Sequence, residues 1–354
     1  MEKMAFHIPE PFHVPDHKQT ESSLCPRLQQ ERKDIPLLKE NPLRFLQLPI
    51  LYPDIQRRYK KHVACFWTAE EIELDKDPKD WKRLDRETQS FIEHHLAYLN
   101  GSDGAIVENL GACFLTEVQF PEARNFYGFQ IAMENIHAET YGKLIETLIA
   151  DREKAEKLMG TLDDYPSIQA KTAWAQKWID PNRSFVERLI AFACVEAIHF
   201  SSSFCAFFWL KKKGFCPGAC FANELISRDE GMHQDFAVLL YNDYIPDKFK
   251  LTQAHIFEIV RGAVEVEVAF NVAALPTPLV GMNVDLMDRY IKYIADRLLM
   301  QLGCEKQYNT ANPFQWMEKI SLQGKTNFFE KRVGEYQKAG VLDGETEFIL
   351  DEDF

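Results

Sequence analysis

Residues 122–148 read EARNFYGFQIAMENIHAETYGKLIETL. In steps of three or four, Ile131, Glu134, His137, Tyr141, Leu144 and Leu148 fall on one face of a helix. A carboxylate and an imidazole occupy the middle of that face, where apolar side chains belong. The same interruption recurs three times. In residues 86–115 the stripe Ile92, Leu96, Leu99, Asp103, Ile106, Leu110 places Asp103 where a leucine is expected. In residues 185–210, Leu189, Phe192, Glu196 and Phe200 are followed by Phe204. In residues 221–241 the stripe is Ile226, Glu230, His233, Ala237, Leu240.

Four long helices thus each carry a carboxylate on an apolar face. Burying one unpaired carboxylate costs several kcal/mol. Four together require protons or cations. A bundle with a buried polar network would pair them with core Arg or Lys, and the stripes contain none. His137 and His233, each three residues after a glutamate, add neutral nitrogen donors on the same faces. Two carboxylates plus two Glu-x-x-His pairs from four helices form the ligand set of ferritin-like di-iron or di-manganese bundles. Four carboxylates also balance the charge of two divalent ions. A lone Glu-x-x-His is a weak motif. The chain holds a third, Glu196-x-x-His199, and spacing alone does not select which two pairs bind metal.

The rest of the chain agrees with an all-α fold. Its 354 residues give a soft prior of about two domains. A hydrophobic share of 46% and a charged share of 27% are ordinary for a globular protein and exclude wholesale disorder. Only 16 Gly and 17 Pro favour long helices. A net charge of -13 argues against a general nucleic-acid binder. The eight Cys residues are scattered and, with no secretory signal ahead of them, read as reduced thiols of a cytoplasmic protein. Residues 188–210 with Lys211, Lys212 and Lys213 behind them mimic a membrane span. Glu196 and His199 lie mid-segment, where a charge costs roughly 3 kcal/mol, so the expectation is a buried core helix and no membrane. Residues 1–40 are polar and Pro-punctuated and read as a mobile arm, residues 41–333 as the helical domain. Residues 334–354 turn acidic between apolar ends and read as a flexible docking tail.

Several segments together carry a family resemblance. They are FWTAEEIELDKD (66–77), SDGAIVENL (102–110), EARNFYGFQIAMENIHAETY (122–141), VEAIHFSSSF (195–204), NELISRDEGMH (223–233), NPFQWMEKISLQGKTNFFEKRVGEYQ (312–337) and the ending FILDEDF. The chain resembles the small, radical-generating subunit of class I ribonucleotide reductase, of the eukaryotic and viral type, over roughly residues 36–354. The resemblance implies a ferritin-like bundle with additional helices. It implies two Fe per subunit as an oxo-bridged di-iron centre, with Mn the lesser expectation. Asp103, Glu134 and His137 would ligate one iron, and Glu196, Glu230 and His233 the other.

The same resemblance makes Tyr141 the site of a stable tyrosyl radical, formed with O2 and an electron donor. Bottom-up, Tyr141 lies one turn, about 6 Å along the axis, beyond His137. Phe200, Phe204 and Ile226 match the apolar pocket around that tyrosine. Trp67 and Asp229 match a relay beside the ligand His. Tyr336 matches a tail tyrosine that passes the radical equivalent to a large subunit, on which residues 348–354 would dock. The subunit is expected as a homodimer, and the large subunit reduces ribonucleotides to deoxyribonucleotides. A ferritin-like oxygenase or ferroxidase acting alone is the alternative; Tyr141 and the tail speak against it. At His199 the family more often carries an aromatic residue. His199 is open to three roles: bystander, hydrogen-bond partner of a carboxylate, or alternative ligand.

Overall fold

The structure is a computed structural model and describes residues 26–160, 165–314 and 316–317. Among these, thirteen α-helices follow one another: α1 (Pro26–Asp34), α2 (Pro53–Ala64), α3 (Asp77–Trp81), α4 (Arg86–Asn109), α5 (Leu115–Glu117), α6 (Pro121–Leu148), α7 (Arg152–Gly160), α8 (Pro166–Ile179), α9 (Phe185–Cys194), α10 (Ser201–Lys213), α11 (Pro217–Leu239), α12 (Gln253–Ala274) and α13 (Val284–Gln301). The described residues contain no β-sheet, only an isolated bridge between Leu279 and Met282.

Local chemistry sets the helix ends. Asp85 caps α4 by accepting from Thr88 N at 2.6 Å. Ser184 and Glu187 form a reciprocal capping box at the start of α9. Pro121 and Pro217 occupy the first position of α6 and α11, where the missing N–H costs nothing. Asp77 seats α11 by accepting from Gly218 N at 3.0 Å and Ala219 N at 2.7 Å. The seating is close. A Cβ at Gly218 would stand 2.3 Å from the Glu73 carbonyl oxygen, so only glycine fits.

The four interrupted stripes lie on α4, α6, α11 and the junction of α9 with α10. That junction, Val195–His199, is a wide π-type turn, as are Leu110–Phe114 after α4 and Leu240–Tyr244 after α11. Such turns concentrate at functional sites. Phe185–Lys213 runs as one 29-residue helix that is apolar enough to cross a membrane, yet 94% of its most apolar window is buried inside the protein. It is the central core helix that Glu196 and His199 implied. Around it α4 packs along α6, α6 against α2, and α11 against α9 and α10. One contiguous hydrophobic cluster links all of these helices, so the described residues form one core where length alone suggested two.

The expected N-terminal arm needs correction. Ile35 and Leu37 are fully buried, and Leu28 and Leu38 nearly so. Glu31 accepts from Phe185 N at 3.0 Å, and Leu37 O accepts from Gln119 N at 2.8 Å. Glu31 therefore places a carboxylate at the positive end of α9. Residues 26–38 belong to the folded body and not to an arm reaching residue 40. The apolar run Ile35-Pro36-Leu37-Leu38 is too short to show a period. Residues 1–25, the expected tail at 334–354 and Tyr336 lie outside the described residues.

Candidate metal centre

Asp103, Glu134, His137, Glu196, Glu230 and His233 come together from α4, α6, the Val195–His199 turn and α11, and none is more than 3% exposed. Ligand atoms of Glu134, Glu196, Glu230 and His233 all lie within 4.8 Å of one another; so do those of Asp103, Glu134 and His137. Glu134 belongs to both groups. Its Oε2 is 3.3 Å from His137 Nδ1 and its Oε1 is 3.1 Å from His233 Nδ1. Glu230 does the same, with Oε1 3.0 Å from His137 Nδ1 and Oε2 2.7 Å from His233 Nδ1. Two carboxylates thus span the two imidazoles, where the sequence reading divides the six residues three and three.

The cluster fits a pair of cations. Asp103 Oδ2 and Glu196 Oε2 are buried without a hydrogen-bond partner. No Lys or Arg ion pair to any of the four carboxylates occurs among the described residues. Burial, then the neighbouring Glu134, pushes the Asp103 carboxyl far above its ordinary range. Burial, then Glu230 and Glu134, does the same to Glu196. For His233 burial works downward, but Glu230 and Glu134 outweigh it and carry the imidazole up to about 9. Carboxylates packed this closely in a dry pocket therefore call for balancing positive charge. Carboxylate oxygens with imidazole nitrogens suit iron, manganese or zinc. Metal ligation needs these groups deprotonated, so uptake releases protons and strengthens as pH rises.

Each imidazole of the cluster has a buried partner behind it. His137 Nε2 lies 3.2 Å from Asp229 Oδ2, and Trp67 Nε1 donates to the same oxygen at 2.7 Å. Asp229 Oδ1 accepts from Arg228 Nη2 at 2.8 Å, and that nitrogen also donates to Cys65 O at 2.7 Å. Burial opposes the Asp229 charge, but Arg228 and His137 hold its carboxyl down at about 2. In a neutral His137 an ionised Asp229 favours the proton on Nε2, which leaves the Nδ1 lone pair for the cluster. The Trp67 ring stacks on His137 with centroids 5.8 Å apart. Trp67 and His137 thus meet at one carboxylate oxygen of Asp229.

Two contributors escape the sequence reading. His62 Nε2 lies 3.3 Å from His233 Nε2, on the side of that ring away from the carboxylates. Burial, then His233, pulls His62 down to about 3, so its imidazole is neutral at pH 7. Its signal was the spacing Ile55, Tyr59, His62 on α2. Gln130 Nε2 donates to Glu134 Oε1 at 3.3 Å and Glu196 Oε1 at 3.2 Å. Gln130 is fully buried and holds the inward position that the sequence reading gave to Ile131, which is half-buried.

Tyr141 is 3% exposed, and its hydroxyl has no partner. Burial, then the Asp103 carboxylate, drives its phenol far above the usual value, so it keeps its proton. Phe200, Phe204 and Ile226 are all buried in the same core. His199 is buried too, but its ring meets Trp174 at 4.7 Å and is not among the residues of either group. The seven described cysteines are free thiols.

Residues 44–313 match the family model described as ribonucleotide reductase, small chain. A ribonucleoside-diphosphate reductase small chain from Trypanosoma brucei brucei is 53% identical over 336 residues, 94% of this chain and 99% of the relative. One from Nicotiana tabacum is 55% identical over 325 residues, 90% of this chain and 98% of the relative. Among solved structures, the ribonucleotide reductase Rnr4 homodimer from Saccharomyces cerevisiae superposes with a TM-score of 0.75 at 36% identity, covering 86% of this chain and 96% of that one. A helical bundle, a buried carboxylate and imidazole cluster, and likeness along nearly the whole chain converge: the chain belongs to the ribonucleotide reductase small-chain family.

Proposed function

We propose that the cluster holds two iron ions and that Tyr141 is the residue oxidised to a stable radical, which a separate large subunit then uses to reduce ribonucleotides. The observation that carries the reading is a dry, partnerless tyrosine hydroxyl one helical turn beyond a ligand of a cation-demanding site. Iron loaded there would supply the one-electron oxidation of Tyr141, with O2 as oxidant and an external one-electron donor giving the remaining electron that the reduction of O2 to water needs. Asp103, Glu134, His137, Glu196, Glu230 and His233 would hold the ions. Phe200, Phe204 and Ile226 exclude water and reductants from the phenoxyl. Asp229 orients His137 and ties it to Trp67, the route by which an electron enters or leaves the centre.

Metal-free protein given Fe(II) anaerobically is expected to bind about two Fe per chain. It should release protons as it does so and become more heat-stable, since the ions bind only the folded state. Admitting O2 should then produce a tyrosyl signal in the electron paramagnetic resonance spectrum. Negligible iron uptake, or iron without any tyrosyl signal, would defeat the reading.

The partner reading extends it. The subunit acts as a homodimer, and residues 348–354 dock on the large subunit, with Phe348, Leu350 and Phe354 as apolar anchors and the acids between them steering approach. Tyr336 carries the oxidising equivalent across. A free peptide of residues 348–354 is expected to inhibit nucleotide reduction by displacing the whole subunit. Failure to compete, with the two-subunit enzyme active, would remove the docking role.

A further inference from the structure

The segment from Glu196 to Ser202 is held by a buried ion pair outside the metal cluster. In a wide turn the backbone bonds skip a residue, and regular partners are lost nearby. The carbonyls at the end of Val195–His199 find substitutes. Ser201 Oγ donates to Ile198 O at 2.7 Å, and Lys171 Nζ, from α8, donates to His199 O at 2.6 Å. The same ammonium lies 2.6 Å from Glu267 Oε2, on α12. Glu267 Oε1 accepts from Ser202 N at 3.3 Å and from the Ser202 hydroxyl. Both charged side chains are buried, and the ammonium rests over the rings of Tyr98 and Phe270. Two helices that supply no ligand thus grip the chain at His199 and Ser202, a few residues beyond Glu196.

Stability is a poor reason for this pair. Taking two charges out of water costs about what their attraction returns, and an apolar pair of similar volume does as well or better. Position is a better reason. The pair is bonded to the backbone at His199 O and Ser202 N, and these flank the end of the turn. We propose that Lys171 and Glu267 are positioning residues: they brace the Val195–His199 turn and thereby set where Glu196 meets its metal. The inference rests on the two-metal reading above. Glu196 groups with Glu134, Glu230 and His233 and not with Asp103 and His137. The brace reaches α4, the helix of Asp103, only through the Tyr98 ring under the ammonium, whereas it is hydrogen-bonded to the backbone at His199 and Ser202. Loosening the brace should therefore weaken one ion and spare the other.

The test variant is Lys171→Met with Glu267→Leu, which removes both charges at similar volume. Mn(II) is titrated into the metal-free full chain without O2, and free Mn(II) is followed by electron paramagnetic resonance, so no turnover is involved. The wild type should take up two ions. The double variant removes two buried charges but leaves His199 O and Ser202 N without these partners, so its melting temperature should stay near that of the wild type. It should bind one ion at least about tenfold more weakly, the scale of losing an outer partner of a metal ligand. Ser202→Ala removes one brace contact and no charge, and serves if the double variant does not fold. It should weaken the same ion, by less than the double variant does. Wild-type affinities in either folded variant overturn the brace. An equal loss at both ions, with a lowered melting temperature, also overturns it, because that is general loosening. A wild type that binds no metal overturns the two-metal reading and the brace with it.

Discussion

Tyr141→Phe is expected to fold, to take up iron like the wild type, and to lose both the stable radical and all support of nucleotide reduction. The substitution removes one oxygen. That oxygen is buried and has no hydrogen-bond partner, and an unsatisfied buried polar group costs about 1–3 kcal/mol. The metal-free variant should therefore be as stable as the wild type or more so, by up to about 1 kcal/mol after the loss of packing is counted. Few active-site changes carry this combination of unchanged or higher stability with complete loss of function. It follows because the hydroxyl contributes nothing to the fold and, in the proposed function, carries the one-electron chemistry. The checks are melting temperature, iron per chain and the electron paramagnetic resonance signal after O2. A tyrosyl signal of wild-type shape in the variant would place the radical on another of the twelve tyrosines.

Much of this site is legible in the sequence because two independent signals coincide there. A helix period says which residues face inward, and a carboxylate at such a position is costly enough to require a cation. Asp103, Glu134, Glu196 and Glu230 each carry both signals, and the structure buries all four. Gln130 carries neither strongly: an amide on an apolar face is cheap to satisfy and implies no ion. His62 lies on a short helix rich in Lys and Arg, where a surface imidazole is the ordinary reading. The double reach of Glu134 and Glu230 is a property of four helices packed together, and no single stripe contains it. Glu196-x-x-His199 misleads for a local reason. In a regular helix residues three apart share a face, but the wide turn between Val195 and His199 changes the angle between them and leaves His199 against Trp174. Backbone irregularity of that kind leaves no mark in a hydrophobic period.

Asp229→Ala is expected to have the largest combined effect on stability and chemistry. The carboxylate serves three buried groups at once: His137 Nε2, Trp67 Nε1 and the Arg228 guanidinium. Its removal leaves Arg228, 5% exposed, as a bare buried cation, a loss of about 3–5 kcal/mol. It also frees the His137 ring to carry its proton on either nitrogen, so that Nδ1 no longer points a fixed lone pair at the cluster. Iron should still bind, because Asp103, Glu134 and Glu230 remain around His137, whereas radical formation should fall much further than iron content. Paired with Arg228→Met, which removes the stranded cation, Asp229→Ala should recover most of the lost stability and none of the radical yield. The two roles of Asp229 are then separated by one pair of measurements, thermal unfolding and radical per iron. If radical per iron stays at the wild-type value in the double variant, Asp229 is a partner for Arg228 alone. The short path from Trp67 to His137 would then have no part in the chemistry.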